Sequence, residues 1–275
     1  MFWARAISFP LLLAIFFAMI FWRHGGWIFT VIVPFLLGMA GYEFGNILQK
    51  LEMKCAPKVI SAVMFLFGIA FVLSDKSGCI PVSALLFVTV PFFAVFLTFA
   101  GLLFMKDRKN YFLKRFTEFG SIIFLIILYL PLLAAYSEAK NFLFLVLVTK
   151  MTDTGGYIFG KLSSYLPGGN HKIAPRFSPK KSYEGLIGGM LMSVAAGLIL
   201  LKYGCSPFSL NMTVVSSVVL SLGSFAGDLT ESALKREAEI KDSGNWIPGM
   251  GGIFDVLDSF IYNGIIFMVL QFCCR

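Results

Sequence analysis

The chain has 275 residues, 58% hydrophobic and 14% charged, with 31 Phe, a mean hydropathy of +0.83 and a formal charge of +8. Soluble domains run near half apolar and a quarter charged, and the apolar runs here approach the roughly 17–25 residues that a bilayer span needs, so a soluble enzyme, a disordered chain or a disulfide scaffold describes it poorly. The positive balance reads as loops on one side of a membrane rather than a nucleic-acid surface, because no basic helix or aromatic platform for single strands occurs.

Apolar runs fall at roughly 7–22, 27–44, 59–73, 79–105, 119–136, 142–158, 185–201, 212–227 and 257–274. They predict an all-α polytopic membrane protein with about nine transmembrane helices. The first run follows a single Arg5 and lacks a small-residue cleavage site, so it is expected to be retained as a span. With the N-terminus cytoplasmic, the inner segments carry Arg5, then Lys50, Lys54 and Lys58, then Lys106, Arg108, Lys109, Lys114 and Arg115. They continue with Lys161, Lys172, Arg176, Lys180 and Lys181, and end with Lys235, Arg236 and Lys241. The outer segments hold Arg23, Lys76, Lys140, Lys202 and Arg275, which is the asymmetry of the positive-inside rule. Cys55, Cys79, Cys205, Cys273 and Cys274 form no CxxC and indicate neither a zinc site nor a disulfide framework.

The two parts of the chain differ in chemistry. Residues 1–136 give about five almost purely apolar spans, whereas 137–275 crowd acids, Ser, Gly and Lys into and between the spans. Chemistry is therefore expected in the second part, at the cytoplasmic side.

Three stretches carry that expectation. In the first, Lys150 and Asp153 sit inside an apolar run, followed by Gly155, Gly156 and Gly160, and then by Ser178-Pro-Lys180-Lys181-Ser182 with Glu184. Gly156 and Gly160 allow close helix packing. The hydroxyls and ammonium groups suit phosphates, or equally a basic loop that attracts anionic lipid. The second is Asp228-Leu-Thr-Glu231-Ser232-Ala-Leu-Lys235-Arg236, where positions 228, 231, 232 and 235 share one helix face. It reads either as a functional stripe at the membrane boundary or as an ordinary amphipathic helix end. In the third, Lys241-Asp242-Ser243-Gly244 and Pro248-Gly-Met-Gly-Gly252 form a pliable turn before a helix from Ile253 that bears Asp255 and Asp258 one turn apart. Asp255 beside Asp228 would make a carboxylate pair suited to magnesium. No GxxxxGK[ST] loop or GxGxxG fingerprint occurs, and with only His24 and His171 there is no His-rich metal site. A Ser/His/Asp triad would have to use His171.

Together these residues resemble the phosphatidate cytidylyltransferase (CDP-diacylglycerol synthase) family. The resemblance rests on Asp153-Thr-Gly with Tyr157 and Gly160-Lys161, on Ser178-Pro-Lys-Lys-Ser with Glu184-Gly185, and on Gly227-Asp228 with Glu231-Ser232. It continues through Lys235-Arg236, Lys241-Asp242, Pro248-Gly249, Gly251-Gly252, Asp255 and Asp258. It covers roughly 110 residues; the N-terminal part agrees in being hydrophobic, with Glu43 where an acid recurs. Met250 and Val256 depart from the family pattern, which has His and Arg there.

The resemblance implies transfer of a cytidylyl group from CTP to phosphatidic acid, giving CDP-diacylglycerol and pyrophosphate. It further implies Mg2+ with room for a second cation, held by Asp228, Asp255 and Asp258, and Lys235 in a catalytic role. Ser178, Lys180, Lys181, Ser182, Glu231, Ser232, Arg236 and Lys241 would bind substrate, with Asp153 orienting one of these cations. A bacterial cytoplasmic (inner) membrane, a site facing the cytoplasm, acyl chains entering from the bilayer and room for a homodimer complete the expectation. The rivals are a CTP-dependent polyprenol or lipid kinase, and a transporter using Lys150, Asp153 and Asp228 as an ion path.

Overall fold

The computed structural model describes residues 25–77, 111–135, 138–167, 169–176, 178–248 and 251–273. The apolar runs expected at 7–22 and 79–105 lie outside the described residues. The elements in chain order are α1 (Gly25–Lys50), α2 (Pro57–Ser77), α3 (Tyr111–Ala135) and α4 (Ala139–Ser163), then the strands β1 (Lys172–Ala174) and β2 (Ser178–Ser182). After these come α5 (Tyr183–Lys202), α6 (Leu210–Glu237), the short α7 (Ile253–Leu257) and α8 (Phe260–Cys273). Among the described residues, six stretches are long and apolar enough to cross a membrane, and Pro57–Leu73 is a shorter apolar helix. This is a mostly helical integral membrane protein.

The described residues group into two units, each with its own contacts. The first runs as far as Ile126 and takes in Glu237–Val256; the second comprises Ile127–Arg236 and the chain from Leu257. The sequence-based division at 136/137 follows chemistry, whereas this one follows packing.

In the first unit α1 lies against α2 along small residues, as expected where packing rather than water expulsion drives helix association. A Cβ on Gly41 would stand 3.1 Å from Met64, and one on Gly45 2.7 Å from Pro57. Phe44 stacks on Phe124 of α3 at 5.5 Å between centroids. The turn between α1 and α2 is tied down by Glu118, whose buried carboxylate accepts the Ala56 N–H at 2.8 Å.

In the second unit the closest seam is between α4 and α5, and it is made of backbone. A Cβ on Gly155 would stand 2.7 Å from the Gly188 carbonyl oxygen, and one on Gly185 2.8 Å from that of Gly156. Gly189 faces the Thr152 carbonyl in the same way, at 2.8 Å. Phe144, Phe208 and Phe267 form an aromatic core with centroids 5.5 to 6.2 Å apart. Asn263 of α8 donates to the Thr149 hydroxyl of α4 at 2.8 Å. The strands form an antiparallel hairpin that places Lys172 opposite Ser182. Ser182 then caps α5 by accepting the Gly185 N–H at 3.1 Å.

The last run departs from the single helix that the periodicity predicts from Ile253. Helix α7 ends at Leu257, and α8 starts at Phe260. Asp258 breaks the run because its carboxylate accepts the N–H of the adjacent Ser259 at 2.5 Å, and its carbonyl accepts that of Ile261 at 3.1 Å. An Asp that satisfies its own backbone competes with a continuing helix.

Candidate functional site

The charged stretch of α6 is not a solvated helix end. Glu231 is 1% exposed and Lys235 binds its Oε2 at 2.6 Å, so the pair four residues apart is held inside the protein. Asp228, one turn earlier, accepts a hydrogen bond from Ser232 on Oδ1 at 3.3 Å and an ion pair from Lys181 on Oδ2 at 2.8 Å. Lys181 is fixed in turn, since it donates to the Phe225 carbonyl at 3.2 Å and lies 4.4 Å from the centre of the Phe225 ring. Along β2, Lys181 is half-buried while Lys180 is exposed.

Asp258 completes the group. One carboxylate oxygen each from Asp228, Glu231 and Asp258 lie within 4.8 Å of one another. Gly227 makes the approach feasible, because a Cβ there would strike the Asp258 carbonyl oxygen. Beside the cluster, Lys150 pairs with Asp153 at 3.3 Å and donates to Ser259 at 2.7 Å. The other Asp153 oxygen accepts the Ser224 hydroxyl at 2.8 Å. Asp153 therefore orients Lys150, whereas the resemblance has it orienting one of the substrate-binding cations. Lys150 and Ser259 are neighbours of the cluster to which the family resemblance assigns no task; a lysine inside an apolar run was the available signal.

The remaining residues named from sequence fall as follows. Ser178 is half-buried on β2, and the Ser182 hydroxyl is engaged as the α5 cap, in a side chain 2% exposed. Arg236 is exposed near the end of α6. His171, the histidine a triad would have to use, has its Nδ1 2.7 Å from Glu184 at the start of α5.

Lys241 and Asp255 belong to the first unit. Lys241 is exposed. The Asp255 carboxylate accepts the N–H of Ser243 at 2.9 Å and that of Gly252 at 2.7 Å, closing the glycine-rich turn on itself. Gly251, at φ +99, occupies backbone space that favours glycine, and a side chain there would also meet Asp255. Glu43 of α1 reaches the same turn. It is 1% exposed and accepts from Ile253 N–H at 3.0 Å, Phe254 N–H at 2.8 Å and the Ser243 hydroxyl at 2.8 Å.

The carboxylates of the second unit fit a hard divalent cation. Such ions take oxygen ligands at about 2.0–2.6 Å, so two ligands of one ion stand at most about 4–5 Å apart, and the three oxygens here satisfy that spacing. Lys181 and Lys235 neutralise part of the same negative charge. Three carboxylates, their lysine partners and a further lysine held by hydrogen bonds form a place where polyanionic phosphates and a cation can meet.

Comparison with known proteins agrees with this chemistry. The chain belongs to the cytidylyltransferase family, whose model matches residues 3–274. It is similar to a phosphatidate cytidylyltransferase of Staphylococcus saprophyticus, 38% identical over 143 residues, which are 52% of this chain and 53% of the relative. The protein of that name from Staphylococcus aureus (strain COL) is 41% identical over 129 residues, covering 46% of this chain and 47% of the relative. One from Staphylococcus epidermidis is 40% identical over 123 residues, covering 45% of each chain. The matched part thus spans about half the length of these curated relatives.

Proposed function

From that family membership we propose that the chain is a phosphatidate cytidylyltransferase, transferring the cytidylyl group of CTP to phosphatidic acid with release of pyrophosphate. The observation that carries the reading to a place in the molecule is the convergence of Asp228, Glu231 and Asp258 with Lys181 and Lys235. A phosphate oxygen of the lipid forms a bond to the α-phosphorus of CTP while the bond between the α- and β-phosphates breaks. Pyrophosphate carries the electron pair away. The nucleophile needs no base, because a phosphate monoester with a second pKa near 6 is already largely ionised at pH 7. Both reactants are anions, so the main task of the protein is to bring them together against their repulsion and hold them in line.

In this reading Lys181 and Lys235 turn their charge toward incoming phosphates when the carboxylates they pair with are otherwise engaged. Ser178, Lys180 and Arg236 supply further donors, with Ser182 and Ser232 holding the backbone and Asp228 in place; Lys241 is taken as a substrate-binding group by resemblance. Lys150, kept in position by Asp153 and Ser259, adds a fixed positive charge. A Mg2+ ion held by Asp228 and Asp258, with Glu231 alongside, would neutralise charge on the transferring phosphoryl group, and a second cation would do so on the leaving one. Asp255 is assigned to the metal by resemblance.

We further propose nine spans, the described apolar helices together with the runs at 7–22 and 79–105. The N-terminus and the charged residues would face the cytoplasm of a bacterial inner membrane, as the distribution of Lys and Arg supports. A homodimer is compatible with the same arrangement.

The test is a purified-protein assay with CTP, phosphatidic acid and Mg2+, comparing wild type with Asp228→Ala, Asp255→Ala and Asp258→Ala. Metal-dependent CDP-diacylglycerol and pyrophosphate, lost in folded Asp228→Ala and Asp258→Ala, is the expected result. CDP with a phosphorylated lipid would instead mean a kinase. Ion flux through liposomes without CTP, and no nucleotide chemistry, would mean a transporter.

A further inference from the structure

We propose that Glu43 is a positioning residue: its buried carboxylate staples the two ends of the glycine-rich turn 243–252 and thereby sets where Lys241 and Asp255 stand. The proposal rests on the reading above in taking Lys241 and Asp255 as working groups of a cytidylyltransferase.

The geometry has three parts. First, the donors come from both ends of the turn. Ser243 Oγ donates from its entry, while the amides of Ile253 and Phe254 donate from its exit, all to one side chain some 200 residues away in sequence. A carboxylate that accepts several N–H and O–H bonds makes the stronger, charge-assisted kind. Second, the turn is shaped around that side chain. A Cβ on Gly244 or on Gly252 would collide with the Glu43 carboxylate, so these two glycines leave room for it rather than merely lending flexibility. Third, the neighbouring Phe44 packs on Phe254 at 5.5 Å between centroids, which holds the exit in an apolar contact while Glu43 holds it in a polar one.

The Ser243 bonds join the two carboxylates. Its hydroxyl goes to Glu43 and its N–H to Asp255, while Asp255 also takes the Gly252 N–H. Glu43 and Asp255 therefore close the same turn from outside and inside. A turn rich in Gly and Pro has little side-chain packing of its own, and its backbone is among the most costly to order. Without Glu43 the amides of Ile253 and Phe254 lose their acceptor, and the bonds to Asp255 and the backbone pair between Ile247 and Gly251 remain. At 1% exposure and with both oxygens engaged, Glu43 acts through the turn and does not touch substrate.

The experiment uses the full chain in detergent or nanodiscs and reads two quantities. Hydrogen exchange follows the amides of Ile253, Phe254 and Ser243 with those of α2 as reference, and steady-state kinetics follow CTP turnover on phosphatidic acid. Glu43→Gln keeps the size but turns an NH2 toward N–H donors. The expected result is exchange at 253 and 254 faster by at least about tenfold with α2 unchanged, and kcat lower by about 10- to 100-fold. Ser243→Ala, which keeps the carboxylate and the backbone, should give a smaller loss. Its combination with Glu43→Gln should be less than additive, because both remove the same bond. If Glu43→Gln does not fold, Ser243→Ala alone must still raise exchange at 253 and 254. Wild-type exchange and wild-type kcat in Glu43→Gln overturn the proposal, and so does faster exchange spread evenly over the first unit. Absence of CDP-diacylglycerol from wild type would refute the enzymatic reading, and the exchange data would still judge the staple.

Discussion

Replacing Gly227 by alanine sets two effects of opposite sign against each other. Within a helix, Ala is more favourable than Gly by about 1 kcal/mol, so on propensity alone the variant would be more stable. The new Cβ, however, would strike the Asp258 carbonyl oxygen, a backbone atom that cannot rotate away. Overpacking of this kind costs about 1–3 kcal/mol, which leaves a net loss of roughly 0–2 kcal/mol. The catalytic consequence is larger. Relief of the contact separates Asp258 from Asp228 and Glu231, and a displacement near 1 Å in a reacting constellation costs about 100-fold, or about 2.7 kcal/mol of barrier. The assay measures CDP-diacylglycerol formation against Mg2+ concentration, alongside the thermal midpoint in detergent. Gly120→Ala serves as control, because a Cβ there meets nothing within 4 Å, and it should be slightly stabilised. Gly227→Ala with wild-type turnover, wild-type Mg2+ dependence and the stability gain of the control would refute the claim that this glycine sets the carboxylate spacing.

Three further outcomes are expected. Lys181→Met removes the 2.8 Å partner of Asp228 and should lower turnover at least tenfold more than Lys180→Met, whose side chain is exposed; steady-state kinetics with both variants check this. Lys235→Met removes the ion pair that Lys235 makes with the buried Glu231; removing one partner of a buried pair costs about 3–5 kcal/mol, and thermal unfolding should show the loss, with Glu231→Gln/Lys235→Met recovering part of it. Cys55 is buried and donates to the Gly45 carbonyl at 3.4 Å, and burial, with Glu118 adding to it, pushes its thiol pKa up; among the described cysteines, maleimide should label the exposed Cys273 and the half-buried Cys205 before Cys55, which should react only on unfolding, as mass spectrometry of the labelled peptides would show.

What the sequence revealed and what it hid follow from the range of the interactions. Hydrophobic runs report burial in a bilayer directly, so the helices around 27–44, 119–136 and 185–201 are legible in the residues themselves. The spacing of Asp228, Glu231, Ser232 and Lys235 likewise places them on one helix face. Whether that face was solvated or enclosed was not legible, because enclosure depends on Lys181 and Asp258 arriving from other elements. The pairing of Asp153 with Lys150 was in reach at three residues' separation. The role of Glu43 was hidden by about 200 residues of intervening chain. Asp258 shows the limit of periodicity: the apolar pattern runs on through it, and only the hydrogen bonds of its own carboxylate and carbonyl break the helix.

On the cytidylyltransferase reading proposed above, the glycine seam between α4 and α5 bears on how a lipid substrate would travel. Along that line a single added carbon has no space, standing 2.7 Å from one carbonyl oxygen at Gly155 and 2.8 Å from others at Gly185 and Gly189. A methylene chain, which is a string of such carbons, cannot slip through it without parting the two helices. For a diacyl molecule in the surrounding bilayer the seam is a wall. Its tails must remain in the membrane outside this pair, or pass along a different helix, while the headgroup reaches the charged cluster.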